Sequence, residues 1–125
     1  MNALLAVFLG AGLGGVLRYG VSLASLRLLG SGFPYGTLTV NVAGSVVMGL
    51  VAGWFATRTD PDGTWRLFLA TGILGGFTTF SAYSLEVVQL YERGDLLYAV
   101  SYAVSSVVLS VAALVLGLLI VRQLA

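Results

Sequence analysis

Long apolar stretches without charge restrict the fold of this chain more than any other feature. Met1–Leu17, Thr37–Thr57 and Leu96–Val121 contain no Asp, Glu, Lys or Arg. A helix needs about 20 mainly apolar residues to cross the hydrocarbon core of a bilayer. Only 9% of the chain is charged and 58% is hydrophobic, whereas a soluble domain is about 25% charged. The sequence therefore predicts an all-α integral membrane protein embedded in a lipid bilayer.

Short polar segments rich in Gly, Pro and Asp divide the chain into four apolar stretches, because these residues favour turns. The apolar N-terminus has no basic region before it, so we interpret it as a first span and not as a removable signal. We predict a single domain over residues 1–125, with four transmembrane helices at about 2–29, 37–57, 64–93 and 96–122.

The third span is predicted to break near its middle. Gly75 and Gly76 are followed by a cluster of hydroxyl and aromatic residues, and each glycine in a helix interior costs about 1 kcal/mol relative to alanine. Broken backbone at membrane depth must be buried in protein or line a water-filled cavity, and in channels and transporters it binds ions. The break therefore predicts an ion-handling centre. The alternative is a glycine-rich contact between helices, which is common in membranes.

The arginines give little bias toward one orientation in the membrane. Four spans place both termini on one side, with Arg58, Arg66 and Arg122; the other side carries Arg27 and Arg93, together with Arg18 if it reaches the interface. Orientation follows the excess of basic residues in short loops, and here the excess is almost nil. A chain that inserts both ways can form an antiparallel dimer; the alternative is one weakly specified orientation.

Several functional classes are disfavoured by what the chain lacks. It has no Cys and no His, which removes thiolate metal sites, disulfides and the usual general base. No nucleophile–base pair suggests itself, so we predict that the protein is not an enzyme. A net charge of +1 gives no electrostatic footprint for nucleic acid.

Polar side chains inside the spans are costly and indicate function. The amide of Asn41 must find partners for two donors and an acceptor. Tyr102, Ser106 and Ser110 are spaced by four, so their hydroxyls lie along one line that could pass a small anion from donor to donor. The alternative is that each serine bonds back to its own helix.

Four more residues are candidates with two interpretations each. Phe80 and Tyr83 share a helix face, and their electropositive ring edges could contact an anion weakly or pack in the core. Glu86 could act as a gating or repelling charge near a vestibule, or pair with an arginine at the interface. Arg18 could attract anions into a vestibule, or anchor the helix end by snorkelling.

Three segments together carry a family resemblance: Gly14–Tyr19 late in the first helix, Gly36–Ser45 at the start of the second, and Gly75–Ser81 at the break. In this order and with four spans, they closely resemble the small fluoride-channel family, called Fluc or CrcB, over essentially the whole chain. The resemblance implies an antiparallel, dual-topology homodimer with two separate pores in a prokaryotic plasma membrane. It also implies passive, selective export of cytoplasmic fluoride down its electrochemical gradient, which protects the cell from fluoride toxicity.

The resemblance also assigns roles by position. Asn41 matches the pore amide, Phe80 matches the first ring of the aromatic box, and Ser106 and Ser110 match the polar track, with Tyr102 above them. The second ring of the box is usually Phe, and here it is Tyr83, which keeps the electropositive edge and adds a hydroxyl.

A sodium ion at the dimer centre is the cofactor that the resemblance implies. The backbone carbonyls of Gly75 and Thr78 match its ligands, so two copies supply four carbonyl oxygens, which suit a hard cation. This ion is expected to be structural and not transported.

Two other classes of membrane protein compete with a channel. A small four-span proton-coupled drug exporter needs an embedded acid in its first helix, and this first helix has none. A purely structural membrane subunit has no need of a hydroxyl line or a broken helix.

Overall fold

The structure is a computed structural model that describes residues 2–124, and all of its regular elements are helical. They are α1 (Ala3–Leu29), α2 (Tyr35–Ala56), α3 (Thr64–Arg66), a π-helical segment (Leu67–Leu74), α4 (Gly75–Phe77), α5 (Phe80–Glu92) and α6 (Leu96–Leu124). The elements from α3 to α5 form one interrupted helix. Four helices are thus long and apolar enough to cross a membrane, at Ala3–Leu29, Tyr35–Ala56, Thr64–Glu92 and Leu96–Leu124. The predicted all-helical fold with four long apolar helices is confirmed.

Large apolar side chains cover the outside of the bundle, whereas small residues and a few larger ones fill its interior. Phe8, Leu97 and Val108 are examples of exposed side chains, and Ala6 and Val40 are fully buried. An exposed apolar surface of this extent marks an interaction site in a soluble protein. On a bundle of membrane-length helices, it is the surface that faces lipid tails.

Glycines bring the helices into backbone contact. A Cβ atom built on Gly76 would lie 2.5 Å from the carbonyl oxygen of Ala11, and one on Gly72 would lie 2.9 Å from the Cα of Gly10. The third helix therefore packs against α1 through small residues on both sides, which is the close approach that small residues permit in membranes. The glycine-rich helix contact, considered above as an alternative to a break, is present.

The break in the third helix begins at Thr78, two residues after Gly76, so the prediction that it falls at the Gly75-Gly76 pair itself was wrong. Gly75 keeps helical backbone angles, with φ −62° and ψ −37°. The chain leaves the helix at Thr78 (φ −88°, ψ 159°) and Thr79 (φ −152°, ψ 125°). The Oγ of Thr79 accepts a hydrogen bond from the amide of Ala82 at 3.2 Å. Thr79 thus caps the N-terminus of α5, which is a favoured role for threonine.

A tight turn at one end of the bundle connects the second and third spans. The amide of Gly63 donates to the carbonyl of Asp60 at 3.0 Å, and Gly63 has a φ of 69°, which glycine adopts without strain. The amide of Thr64 donates to Oδ1 of Asp62 at 3.2 Å. Gly63 is thus the N-cap of the third span, and Asp62, one residue before it, accepts from the first helical amide.

The hydrogen bond between Asp62 and Thr64 is expected to give the fold a weak dependence on acid pH. Hydrogen bonds from Thr64 hold the pKa of the Asp62 carboxyl below its ordinary value of 3.8. A lowered folded-state pKa stabilises the fold above the unfolded-state value, and this stabilisation is lost as pH falls through the folded-state value. Asp62→Ala should therefore lower the melting temperature slightly at pH 7 and have no effect well below pH 3.8. Thermal unfolding in detergent at pH 7 and at the acid pH measures the change in melting temperature. An equal loss at both would contradict a stabilising role for the charged Asp62 carboxylate.

Candidate functional site

The amide of Asn41 on α2 is bonded to the backbone of the broken third helix. Its Nδ2 donates to the carbonyl of Thr79 at 3.0 Å, and its Oδ1 accepts from the amide of Thr79 at 2.8 Å. The side chain thus satisfies both backbone groups of one residue at the break, as a neighbouring strand would. Each of these Asn41 atoms keeps capacity for one further hydrogen bond.

The break also releases backbone carbonyls on the preceding turn. The amide of Thr79, four residues after Gly75, donates to Asn41 and not to the Gly75 carbonyl. The amide of Ala82, four residues after Thr78, donates to the Thr79 hydroxyl. Gly75 is exposed. The carbonyls of Gly75 and Thr78 are thus freed from their usual helix donors near the protein surface, and they fit the hard-cation ligands that the resemblance implies.

Arg18 is tied to the same turn. Its Nε donates to the carbonyl oxygen of Gly76 at 3.0 Å, which takes the place of a helix amide at the break. The side chain therefore supports the break from α1, and its role as a vestibule charge stays a prediction.

A cavity of about 280 Å³ opens beside the break, between α2, α5 and α6. It is lined by Asn41, Gly44, Ser45, Met48, Thr78, Thr79, Phe80, Tyr83, Ser106, Val107, Ser110, Val111 and Leu114. Five of the predicted pathway residues (Asn41, Phe80, Tyr83, Ser106 and Ser110) therefore lie around one space. Apart from their aromatic rings, they offer it amide and hydroxyl groups and no formal charge.

Ser106 carries the least satisfied polar group of this cavity. Its side chain is only 4% exposed, and its Oγ is buried without a hydrogen-bond partner among the described residues. Ser84, by contrast, donates to the carbonyl of Phe80 at 2.9 Å within its own helix. A buried hydroxyl without a partner is costly, so Ser106, which lines the cavity, has an unused hydrogen-bond donor.

The two rings at the cavity differ in how they are held. The centroids of Phe80 and Tyr83 are 5.2 Å apart with the rings tilted by 51°. Phe80 is 75% exposed, whereas the Tyr83 hydroxyl donates to the carbonyl of Ala103 on α6 at 2.8 Å. The hydroxyl that distinguishes Tyr83 from Phe is thus used to join α5 to α6, and its ring borders the cavity.

Tyr102 does not line this cavity, although its spacing predicted a place in line with Ser106 and Ser110. It is fully buried, and its hydroxyl donates to Oε1 of Glu86 at 3.0 Å. The hydroxyl of Thr37 donates to Oε2 of the same carboxylate, also at 3.0 Å. Glu86 is therefore held by two neutral donors and not by an arginine. In the part of the chain that the structure describes, the only ion pair joins Arg93 and Asp95 and does not include Glu86.

A second cavity of about 200 Å³ lies on the other side of Tyr102, toward the loop that connects α1 to α2. Glu86, Thr37 and Arg93 are among the residues that line it. The ring of Tyr102 lies 5.3 Å from that of Tyr83, which borders the first cavity. Contacts through Tyr83, Tyr102 and Glu86 thus connect the linings of the two cavities, and the role of Glu86 near a vestibule stays a prediction.

Thr37 was absent from the predicted site residues, and the contact between Thr79 and Asn41 was not predicted. Thr37 lies four residues before Asn41, so helical spacing placed both on one face of α2 and was the signal that could have found it. The contact between Thr79 and Asn41 joins residues 38 positions apart. No local sequence pattern predicts this contact.

Together, these features define a class: a multi-pass helical membrane protein with an interrupted helix beside an uncharged, hydroxyl-lined cavity. Residues 5–118 match the family described as CrcB-like protein, Camphor Resistance (CrcB). The chain belongs to this family, as its motifs predicted, and it is a multi-pass membrane protein of prokaryotic type.

Known relatives match it over nearly their whole length. A protein of Nitrobacter hamburgensis, named fluoride-specific ion channel FluC 2, is 53% identical, with 99% of each chain covered. Proteins named fluoride-specific ion channel FluC from Methylobacterium nodulans and Granulibacter bethesdensis are 56% and 55% identical, covering 95% of both chains in the first case and 99% and 98% in the second.

Proposed function

We propose that this protein is a fluoride-selective passive ion channel that exports cytoplasmic fluoride down its electrochemical gradient and so protects the cell from fluoride. The observation that carries the proposal is the cavity beside the break, which is lined by Asn41 and by Ser106, whose buried hydroxyl has no hydrogen-bond partner among the described residues. Fluoride is small and a strong hydrogen-bond acceptor, so donors of this kind replace its water. The relatives named above are fluoride-specific ion channels, which supports the choice of ion and the absence of an enzymatic role.

The absence of positive charge at the cavity favours conduction over tight binding. Conduction requires sites that are favourable enough to enter and weak enough to leave. Ser106, Ser110 and Asn41 supply neutral donors, and the ring edges of Phe80 and Tyr83 supply weaker ones. An anion passing these groups exchanges one set of modest contacts for the next. The proton-coupled exporter has less support, because α1 has no acid to exchange protons.

We further propose an antiparallel, dual-topology homodimer with a sodium ion at its centre. The near balance of arginines supports insertion both ways. The exposure of Phe80 beside the cavity supports a partner that completes the pathway wall. The released carbonyls of Gly75 and Thr78 would hold the ion, and a second copy would supply two more. When bound, such an ion joins the two breaks by electrostatic attraction.

Anion efflux from proteoliposomes tests the proposed function. Vesicles loaded with fluoride and containing the purified protein should release it within seconds when the membrane potential is clamped by a potassium ionophore. Vesicles loaded with chloride should retain it. Equal release of both anions would contradict selectivity, and retention of fluoride would contradict the channel.

Tyr83→Phe is expected to retain fluoride conduction. The variant keeps the ring at the cavity and loses only the hydrogen bond to Ala103, which contributes about 1 kcal/mol to stability. Fluoride efflux should stay within about twofold of the wild-type rate, since the lost bond lies outside the cavity, while thermal stability in detergent falls slightly. Tyr98→Phe, a change of the same type at an exposed position, is the matched control. Abolished flux in an intact Tyr83→Phe dimer would show that the hydroxyl itself acts in conduction.

A further inference from the structure

A third cavity, of about 410 Å³, lies at the turn between α2 and the third span. Trp54, Phe55, Arg58, Asp60, Trp65 and Leu69 are among its lining residues. The turn joins the helices Tyr35–Ala56 and Thr64–Glu92, both of membrane-spanning length. The cavity therefore lies at the membrane surface, at the level of the lipid headgroups. We propose that it binds the headgroup of a zwitterionic phospholipid that carries a phosphate and a primary ammonium, as phosphatidylethanolamine does.

Arg58 is placed to bind the phosphate. Its guanidinium carbon lies 4.0 Å from the centroid of the Trp54 ring, so the planar group is stacked on the indole and its N–H edge stays free to donate. Arg93 and Asp95 form the only ion pair within residues 2–124. No carboxylate in that range therefore lies close enough to neutralise Arg58. A stacked guanidinium binds phosphate oxygens through two parallel hydrogen bonds.

Asp60 is placed to bind the ammonium. Its Oδ2 accepts from the amide of Arg66 at 3.2 Å, and its carbonyl accepts from the amide of Gly63 at 3.0 Å. These bonds fix the side chain against the turn and leave Oδ1 with its full acceptor capacity. A charged donor on that oxygen would form a charge-assisted hydrogen bond.

The two charges together select a zwitterion. A headgroup with only negative charge would meet the carboxylate of Asp60 beside the guanidinium of Arg58. A headgroup with a phosphate and an ammonium satisfies both side chains at once. Trp54 and Trp65 are 50% and 64% exposed, and tryptophan favours the boundary between headgroups and acyl chains. They thus supply an apolar wall next to the two charges.

The protein carries its own probe of this cavity. It contains two tryptophans, and both line the cavity, so its tryptophan emission reports on no other site. We would titrate the detergent-solubilised protein with dihexanoyl phosphatidylethanolamine or dihexanoyl phosphatidylglycerol, which have the same acyl chains. The emission should change saturably as the ethanolamine lipid is added. The half-saturating concentration should be several-fold lower than that of the glycerol lipid. A change that does not saturate, or equal affinity for both lipids, would overturn the proposal.

Matched variants separate the two charges. Arg58→Gln and Asp60→Asn should each weaken the affinity for the ethanolamine lipid about tenfold or more, as expected for the loss of the charge-assisted hydrogen bonding of that side chain. Asp60→Asn keeps an oxygen for the Arg66 amide and should also remove the preference over the glycerol lipid. Arg122→Gln is the control, because Val121 contacts Gly53 and so places Arg122 at the same end of the bundle. Unchanged affinity in Arg58→Gln would overturn the proposal, and this readout does not depend on fluoride conduction.

Discussion

Fluoride efflux through the Asn41→Asp variant is expected to fall by about two orders of magnitude. The aspartate keeps the oxygen that accepts from the Thr79 amide at 2.8 Å, and it loses the donor to the Thr79 carbonyl. It also puts a negative charge on the cavity wall. Two like charges about 5 Å apart repel by roughly 3 kcal/mol at an effective dielectric constant of about 20, which corresponds to a rate reduction of about 100-fold or more. Efflux from proteoliposomes, compared with the wild type, measures the effect.

The same substitution at the start of α1 provides the control. The Oδ1 of Asn2 caps α1 by accepting from the amide of Leu5 at 2.8 Å, and aspartate caps a helix as well as asparagine does. Asn2→Asp should therefore conduct at the wild-type rate. Both variants should elute as the wild type does and keep its helical circular dichroism. Wild-type efflux through an intact Asn41→Asp protein would remove Asn41 from the fluoride pathway.

The four-helix architecture could be predicted because the membrane leaves few options. Stretches such as Leu96–Val121 have no charge, and a lipid-exposed backbone must bond within its own helix. Composition and length are therefore nearly sufficient for such a segment. The same argument gives no information on how the helices touch one another, which depends on individual side chains.

The position of the break shows where this reasoning fails. Helix propensity placed it at Gly75-Gly76, whereas the chain leaves the helix at Thr78 and Thr79. Position 76 requires glycine because the backbone of Ala11 packs against it and leaves no room for a Cβ atom. Tertiary contact thus outweighs intrinsic propensity, whose cost is only about 1 kcal/mol.

Individual site residues could be chosen from their chemistry, but their partners could not. Intramembrane polarity singled out Asn41, Ser106 and Glu86, and the first two border one cavity. The donors that hold Glu86 are hydroxyls of Thr37 and Tyr102, 49 and 16 positions away. The interpretation of Glu86 as the partner of an arginine left out these neutral donors. They bind a carboxylate without bringing a second charge into the membrane.

Gly49→Val is expected to destabilise the protein strongly. A Cβ atom on Gly49 would collide with the carbonyl oxygen of Leu114 and lie 3.0 Å from the Cα of Gly117. These are backbone atoms of α6, which cannot move aside as a flexible side chain can. Inserting atoms into a packed interface typically costs about 1–3 kcal/mol, and a rigid backbone neighbour puts this case at or above the upper end. We expect the free energy of unfolding to fall by about 3 kcal/mol or more.

Titration with sodium dodecyl sulfate in mixed micelles, followed by circular dichroism, measures that loss. Gly12→Val is the control, because a Cβ atom on Gly12 has no neighbour within 4 Å and valine forms helix slightly better than glycine. Equal midpoints for the two variants would show that α2 and α6 do not depend on this contact. Asn41 on α2 and Ser106 on α6 both line the same cavity. Forcing these helices apart should therefore also abolish fluoride efflux, although Gly49 does not line the cavity.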